Sequence, residues 1–227
     1  MTNKIDFDDY TENYNELLKE NTSFFSSSEE YFAKYKIDLV CKKMQFLPKK
    51  ILEYGCGIGR NISFLKSAYP DALIIGSDIS NASLEIARKE NADVDFFREY
   101  EGAKLDITFD LIFVAGVFHH VPVLERDKVA GTLFKRLSVG GQLFIFEHNP
   151  YNPITRRIVS SCPYDEDAVL LKPSELKSIL SNAKLSVGGS EYCLFVPPSF
   201  SFLTQVEKFL GWFPMGGQYW VSATRLS

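Results

Sequence analysis

Eleven residues, Ile51-Leu52-Glu53-Tyr54-Gly55-Cys56-Gly57-Ile58-Gly59-Arg60-Asn61, constrain this chain more than any other part of it. A short apolar run ends in an acid, passes three alternating glycines, and then takes up helical spacing at Ile62, Leu65 and Ala68. That pattern reads as a buried strand, a tight turn and a helix. Glycines recur where a backbone must turn sharply and admit a ligand that any Cβ would meet. The dinucleotide fingerprint Gly-x-Gly-x-x-Gly uses its third glycine to pack helix on strand. Here that position is Arg60, too bulky for the role. Glu53 would repel a diphosphate but accept hydrogen bonds from an ammonium group.

Glu-x-Gly-x-Gly-x-Gly after a strand resembles the first motif of the class I S-adenosylmethionine-dependent methyltransferases. The resemblance implies that this loop cradles the methionine part of S-adenosyl-L-methionine, with S-adenosyl-L-homocysteine as product. Glu53, Gly55, Cys56, Gly57, Gly59 and Asn61 are the matching positions. The next apolar run, Ala72 to Ser77, ends in Asp78, roughly the 20 residues onward at which a second parallel strand delivers a carboxylate to a ribose. Asp78 is thus a candidate for both ribose hydroxyls, the alternative being a cap for the helix that opens at Ser80. Ile79 joins it among the cofactor candidates. After a third strand at Val94–Phe97 the family often carries an Asp for the adenine amino group. Arg98-Glu99-Tyr100-Glu101-Gly102 stands there instead, leaving Glu99 or Glu101 to substitute.

A fourth apolar strand, Phe109 to Gly116, runs into Val117-Phe118-His119-His120-Val121-Pro122. It resembles the family's fourth motif, which implies Ala115 and Gly116 beside the cofactor. A helix over Leu124–Leu137, a turn at Ser138–Gly141 and a fifth strand over Gln142–Glu147 follow, and the last exits through His148-Asn149-Pro150. All three histidines sit at these two strand exits. Open α/β sheets bind ligands outside the carboxyl ends of their strands. An alcohol acceptor loses a proton as it is methylated, and a histidine near neutral pKa suits that task. The candidate bases are His119, His148 and His120, in that order, with Glu147 as an orienting or alternate group. The adjacent side chains of His119 and His120 are expected to diverge. A metal-dependent reaction needs clustered acids, and the fourth-strand exit has none in sequence, so no metal is expected.

The ends are read from local signals. Residues 1–48 read as helical, with Tyr10, Tyr14, Leu17 and Leu18 on one face and a second helix from Ser28 to Pro48. The resemblance implies that they cap the active site, making Tyr14 and Tyr10 candidate substrate contacts. Tyr151–Leu171 reads as a long connection carrying Arg156-Arg157, a surface pair or a phosphate clamp. A helix from Pro173, a strand over Lys184–Leu194, an aromatic insertion at 195–216 and a closing strand over Gly217–Arg225 complete the chain. The insertion is a candidate pocket wall or dimer surface, leaving a homo-oligomer open.

The fold implied is a single α/β domain over residues 1–227. It has a helical cap at 1–48 and a Rossmann-like, doubly wound core at 49–227. The seven-stranded sheet order is 3-2-1-4-5-7-6, with strand 7 antiparallel. At 227 residues, 45% hydrophobic and 24% charged, the chain has the composition of one globular domain. A net charge of −4 argues against a nucleic-acid partner. No apolar run reaches a membrane span of roughly 18 residues. Four scattered cysteines fit a reducing cytoplasm. The acceptor expected is a small molecule, most simply an oxygen of a sugar, since Phe-Glu-His-Asn-Pro-x-Asn-Pro with Arg-Arg and Gly-Gly-Gln-Tyr resembles polysaccharide- and sugar-modifying methyltransferases. The alternatives are a nucleotide-binding oxidoreductase, disfavoured by Arg60 and Glu53, and a non-catalytic cofactor-binding partner subunit.

Overall fold

The computed structural model describes residues 26–100, 106–162, 165–196 and 204–227. Tyr10, Tyr14 and Glu101 lie outside them. The chain divides into two compact units, Met1–Asp106 and Ile107–Ser227.

In the first unit, helix α1 (Ser26–Lys43) buries Ala33, Ile37 and Val40. Strand β1 (Lys50–Tyr54) is buried from Ile51 onward, with no polar-out alternation. That is the signature of a strand covered on both faces. Helix α2 (Ile62–Ala68) follows the glycine turn, then β2 (Leu73–Asp78), α3 (Asn81–Glu90) and β3 (Asp95–Arg98). The α3 start is capped by Ser80, whose hydroxyl accepts from Ser83 N at 3.0 Å. β1, β2 and β3 pair in parallel, Ile51 opposite Ile74 and Gly76 opposite Phe96.

The second unit holds β4 (Phe109–Ala115), α4 (Arg126–Arg136), β5 (Leu137–His148), α5 (Pro153–Ser161), α6 (Pro173–Asn182), β6 (Ser186–Cys193), α7 (Thr204–Glu207) and β7 (Gln218–Thr224). β4 and β5 are parallel, and β7 lies antiparallel to both β5 and β6. The strand order is β3-β2-β1-β4-β5-β7-β6, as the resemblance implies. Among the described residues no helix is long and apolar enough to cross a membrane.

Two local readings are corrected. Ser138–Gly141 is the start of β5 rather than a turn. Gly140 N donates to Arg225 O at 2.7 Å and Gly141 O accepts from Arg225 N at 3.2 Å, so the glycines pair with the chain's last residues. A Cβ on Gly141 would stand 2.9 Å from Phe109 O, where the β4–β5 register slips. Second, the connection after β5 contains α5. Asn152 Oδ1 accepts from Ile154 N and Thr155 N, and Pro153 occupies the first turn, where its missing N–H costs nothing.

A buried guanidinium fastens the second unit. Arg126 is 1% exposed and donates to Val121 O (3.1 Å), Val169 O (2.5 Å) and Glu175 Oε1 (2.9 Å). Arg126→Ala strands two carbonyls and leaves a cavity, so the expected loss is about 3 kcal/mol or more. Denaturant unfolding measures it, and a loss below about 1 kcal/mol would show that the guanidinium is not a fastening.

Candidate functional site

The first unit supplies a glycine cradle. Gly55, Gly57 and Gly59 have φ of 71°, 53° and 80°, the left-handed region that a side chain rarely enters. A Cβ on Gly57 would meet nothing within 4 Å, so the loop presents bare backbone beside open space. Gly59 does the packing: a Cβ there would lie 3.2 Å from Ala87 Cβ and 2.9 Å from Asn91 Nδ2. The packing glycine therefore sits one place earlier than in the dinucleotide fingerprint, and the bulk of Arg60 is no obstacle.

Two acids face this loop. Asp78 Oδ2 accepts from Gly57 N at 2.8 Å and Oδ1 from Ser80 N at 2.9 Å. It thus shapes the loop and the α3 start, while each oxygen keeps a lone pair for a hydroxyl. Burial raises its pKa against the pull of these backbone donors. Glu53 is 1% exposed; its Oε1 accepts from Asn61 Nδ2 at 2.6 Å, and its buried Oε2 has no partner. Asn61 therefore acts on Glu53. Burial pushes the Glu53 carboxyl up to about 8, against the bond from Asn61. An orphaned buried oxygen beside a backbone cradle fits the ammonium group of an amino-acid moiety. Cys56 is buried, with its thiol against Gly57 O. Ile79 is 48% exposed, an apolar face next to Asp78. After β3, Arg98 Nε donates to Ile79 O and Glu99 N to Asp78 O, so that backbone closes on the β2 exit.

The second unit supplies a histidine–carboxylate cluster. Gly116 (φ 71°) turns the chain after Ala115, and its N–H donates to Phe146 O. Glu147, fully buried, accepts from Val117 N (3.0 Å) and Phe118 N (2.7 Å) and meets His119 Nδ1 at 2.6 Å. His119 Nε2 lies 3.5 Å from Asp165 Oδ1. Burial opposes charge on the His119 ring, but the Glu147 and Asp165 carboxylates outweigh it and lift its pKa to about 9. For Glu147 and Asp165, likewise, burial raises the pKa, but His119 prevails and holds both below the usual range. His120 is lowered by burial and by the charge on His119.

The expectation that His119 and His120 diverge is overturned. Their ring centroids are 4.1 Å apart, and both reach Asp165. The His148 ring joins them, 4.9 Å from His119. Asp165 and Asp167 had no role in the sequence reading; they arrive from the connection after α5, whose Val169 N donates to His119 O at 2.8 Å. The premise that no acids gather at the β4 exit therefore fails. The only sequence sign was Asp165-Glu166-Asp167 ahead of the apolar Ala168–Leu171. Arg156 and Arg157 are exposed on α5 and line a groove with Asp165 and Glu166, carboxylates that disfavour a phosphate there. The Asn-Pro-x-Asn-Pro run is structural: Asn149 Nδ2 donates to Gly216 O (2.7 Å) and Asn152 Nδ2 to Met215 O (2.7 Å).

Residues 52–143 match the family model described as a methyltransferase domain. The chain is 31% identical over 121 residues to a demethylmenaquinone methyltransferase of Thermus thermophilus, covering 50% of this chain and 52% of that one. It is 28% identical over 137 residues to a trans-aconitate 2-methyltransferase of Methylobacterium nodulans, covering 56% and 50%. The chain thus matches about half the length of these curated relatives. A solved S-adenosylmethionine-dependent methyltransferase from Archaeoglobus fulgidus superimposes with a TM-score of 0.65 at 14% identity, over 86% of this chain and 94% of that one.

Glu53 makes stability depend on pH. The folded state holds its proton up to about 8, against 4.5 ordinarily, so stability present below 4.5 is lost as pH rises toward 8. The slope approaches about 1.4 kcal/mol per pH unit within that window. Glu53→Gln keeps an acceptor for Asn61 and removes the titration. Unfolding curves at pH 5 to 8 are expected to show the variant gaining on the parent with each step, and parallel curves would contradict a buried, proton-holding Glu53.

Proposed function

We propose, on the methyltransferase-domain match, the glycine motif and the sheet order, that the chain is a class I S-adenosylmethionine-dependent methyltransferase and that it methylates an oxygen of a small metabolite. The observation that carries this reading is the unpartnered, buried Glu53 oxygen at the end of β1, two residues ahead of the left-handed glycine turn. When bound, the cofactor supplies an activated methyl group on a sulfonium. In this reading both units serve one domain over residues 1–227. Glu53 would hold the ammonium group, giving up its own proton to do so. The Gly55–Gly59 backbone would cradle the methionine portion, and Asp78 would accept from the ribose hydroxyls. Ile79 would pack on the adenine, and Ala115 and Gly116 would offer small surface at the β4 exit.

Rate in such a transfer comes from alignment and from excluding water. The proton of an oxygen acceptor needs a destination. His119 is a poor one, because Nδ1 is engaged by Glu147, Nε2 faces Asp165, and the ring already holds a proton near neutrality. The base role therefore passes to His148, half-buried at the β5 exit beside the His119 ring. Glu147 orients His119 rather than accepting the proton. Two relatives are named for acting on a demethylmenaquinone and on trans-aconitate, both small acceptors. A sugar hydroxyl is the acceptor we favour. It keeps less support than the sequence lent it, since Asn149 and Asn152 are spent on the 214–217 backbone.

Asp78→Ala removes a charge-assisted contact to ribose and loosens Gly57. S-adenosylhomocysteine affinity is expected to fall at least about tenfold, a loss on the order of 1.5–3 kcal/mol. Unchanged affinity in a folded variant, measured by calorimetry, would remove the ribose role. His148→Gln is expected to leave that affinity intact while turnover on a panel of sugars and small acids drops roughly 10²–10⁴-fold. Turnover within a few-fold of the parent would exclude His148 as the base.

A further inference from the structure

His119 and His120 leave β4 together, and both rings present Nε2 to one carboxylate oxygen. Asp165 Oδ1 lies 3.5 Å from His119 Nε2 and 3.3 Å from His120 Nε2. Charge-assisted hydrogen bonds run shorter, about 2.7–2.9 Å. These two spacings are also compatible with neighbouring ligand atoms around a small tetrahedral ion, whose bonds of about 2.0–2.2 Å set ligand edges of about 3.3–3.5 Å, and the third edge lies within 4.8 Å. Octahedral magnesium at about 2.0–2.1 Å would draw the same edges in to about 3 Å.

The far side of each ring carries a second signal. His119 Nδ1 meets Glu147 Oε2 at 2.6 Å, and His120 Nδ1 meets Asp167 Oδ1 at 3.4 Å. Ligating histidines hand their second N–H to a carboxylate in this way, which fixes the tautomer, and an ion bound at His119 Nε2 would displace the proton that this nitrogen shares with Asp165. The handover is tight at His119 and looser at His120, whose Nδ1 stands 3.4 Å from Asp167 Oδ1. Glu147 is in turn held by Val117 N and Phe118 N, so the arrangement is built into the β4 exit rather than borrowed from mobile surface groups.

We propose that His119, His120 and Asp165 form a binding site for a zinc-class divalent transition-metal ion, with one coordination position open. Their ligand atoms all lie within 4.8 Å of one another. Two imidazoles and one carboxylate are a donor set that zinc accepts, and three protein ligands leave its fourth position to water or an incoming oxygen. The negative charges of Asp165, Glu147 and Asp167 suit a dication. The ion ties the Asp165–Asp167 stretch, already pinned by Val169 N on His119 O, to the end of β4. An oxygen ligand taken up in the open position would be polarised. The site stands independently of the methyl-transfer reading.

The test uses the untagged full chain after chelator treatment, titrated with zinc in a calorimeter, with magnesium as control and cobalt for its absorption spectrum. One zinc per chain, no saturable magnesium binding and an intense tetrahedral cobalt spectrum are expected. Asp165→Asn, nearly isosteric, and His120→Ala are each expected to weaken zinc binding at least about 100-fold. Asp167→Asn should weaken it about tenfold or more, the usual effect of losing an outer carboxylate. His148→Gln should change it less than threefold. Absence of one-to-one zinc binding, or equal affinity in parent, Asp165→Asn and His120→Ala, overturns the proposal. S-adenosylhomocysteine titrated into the same samples separates the two readings, since zinc binding without it sinks the methyltransferase assignment alone.

Discussion

A carboxylate with no access to water must be compensated in place, and Glu147 is the point on which the second unit turns. Leaving such a charge unpaired costs several kcal/mol. Two backbone N–H groups and the His119 ring meet it at 3.0, 2.7 and 2.6 Å. The three donors come from consecutive residues just past β4, so satisfying one acid dictates the path of the chain there. Other contacts follow from that path. His119 O takes the N–H of Val169, Arg126 clamps the carbonyls of Val121 and Val169, and Tyr219 Oη donates to Leu171 O at 2.9 Å. A connection distant in sequence is thereby brought to the strand exit, with its acids against the histidines.

The first unit uses buried acids differently. Asp78 has a backbone donor on each oxygen and works as a brace for the glycine turn. Glu53 is buried with one donor, on one oxygen, and burial outweighs that bond and keeps its proton near neutrality. A half-satisfied buried carboxyl is a liability in a structure whose purpose is only to fold. It is reasonable where a positively charged ligand completes it.

The glycine stretch and the acids at the ends of β1 and β2 were legible in the sequence because each rests on local spacing, whereas the strand order followed only from the family resemblance. The packing duty of Gly59 was not legible because its neighbour is Ala87, on a helix whose docking no local pattern reveals. That the Asn61 amide donates to Glu53 was not legible either, since the two residues meet only across the glycine turn. The α5 helix was hidden by Pro153, which reads as a breaker but starts the helix behind the Asn152 cap. Asp165 and Asp167 were invisible for a stronger reason: nothing near them is periodic, and their meaning comes from His119 and His120, more than forty residues earlier. The histidines themselves were placed correctly at the strand exits. Which of them carries a proton depends on acids that only the folded chain assembles.

The central claim is that the Glu53 and glycine-loop arrangement is a seat for the amino-acid end of S-adenosylmethionine. Calorimetric titration with S-adenosylhomocysteine at pH 7, in two buffers of different ionisation enthalpy, tests it directly. A carboxyl held near 8 must lose its proton when an ammonium group arrives. The account predicts one site per chain and release of close to one proton, a release that disappears in Glu53→Gln. No binding, or binding with no proton released by the parent chain, would contradict it.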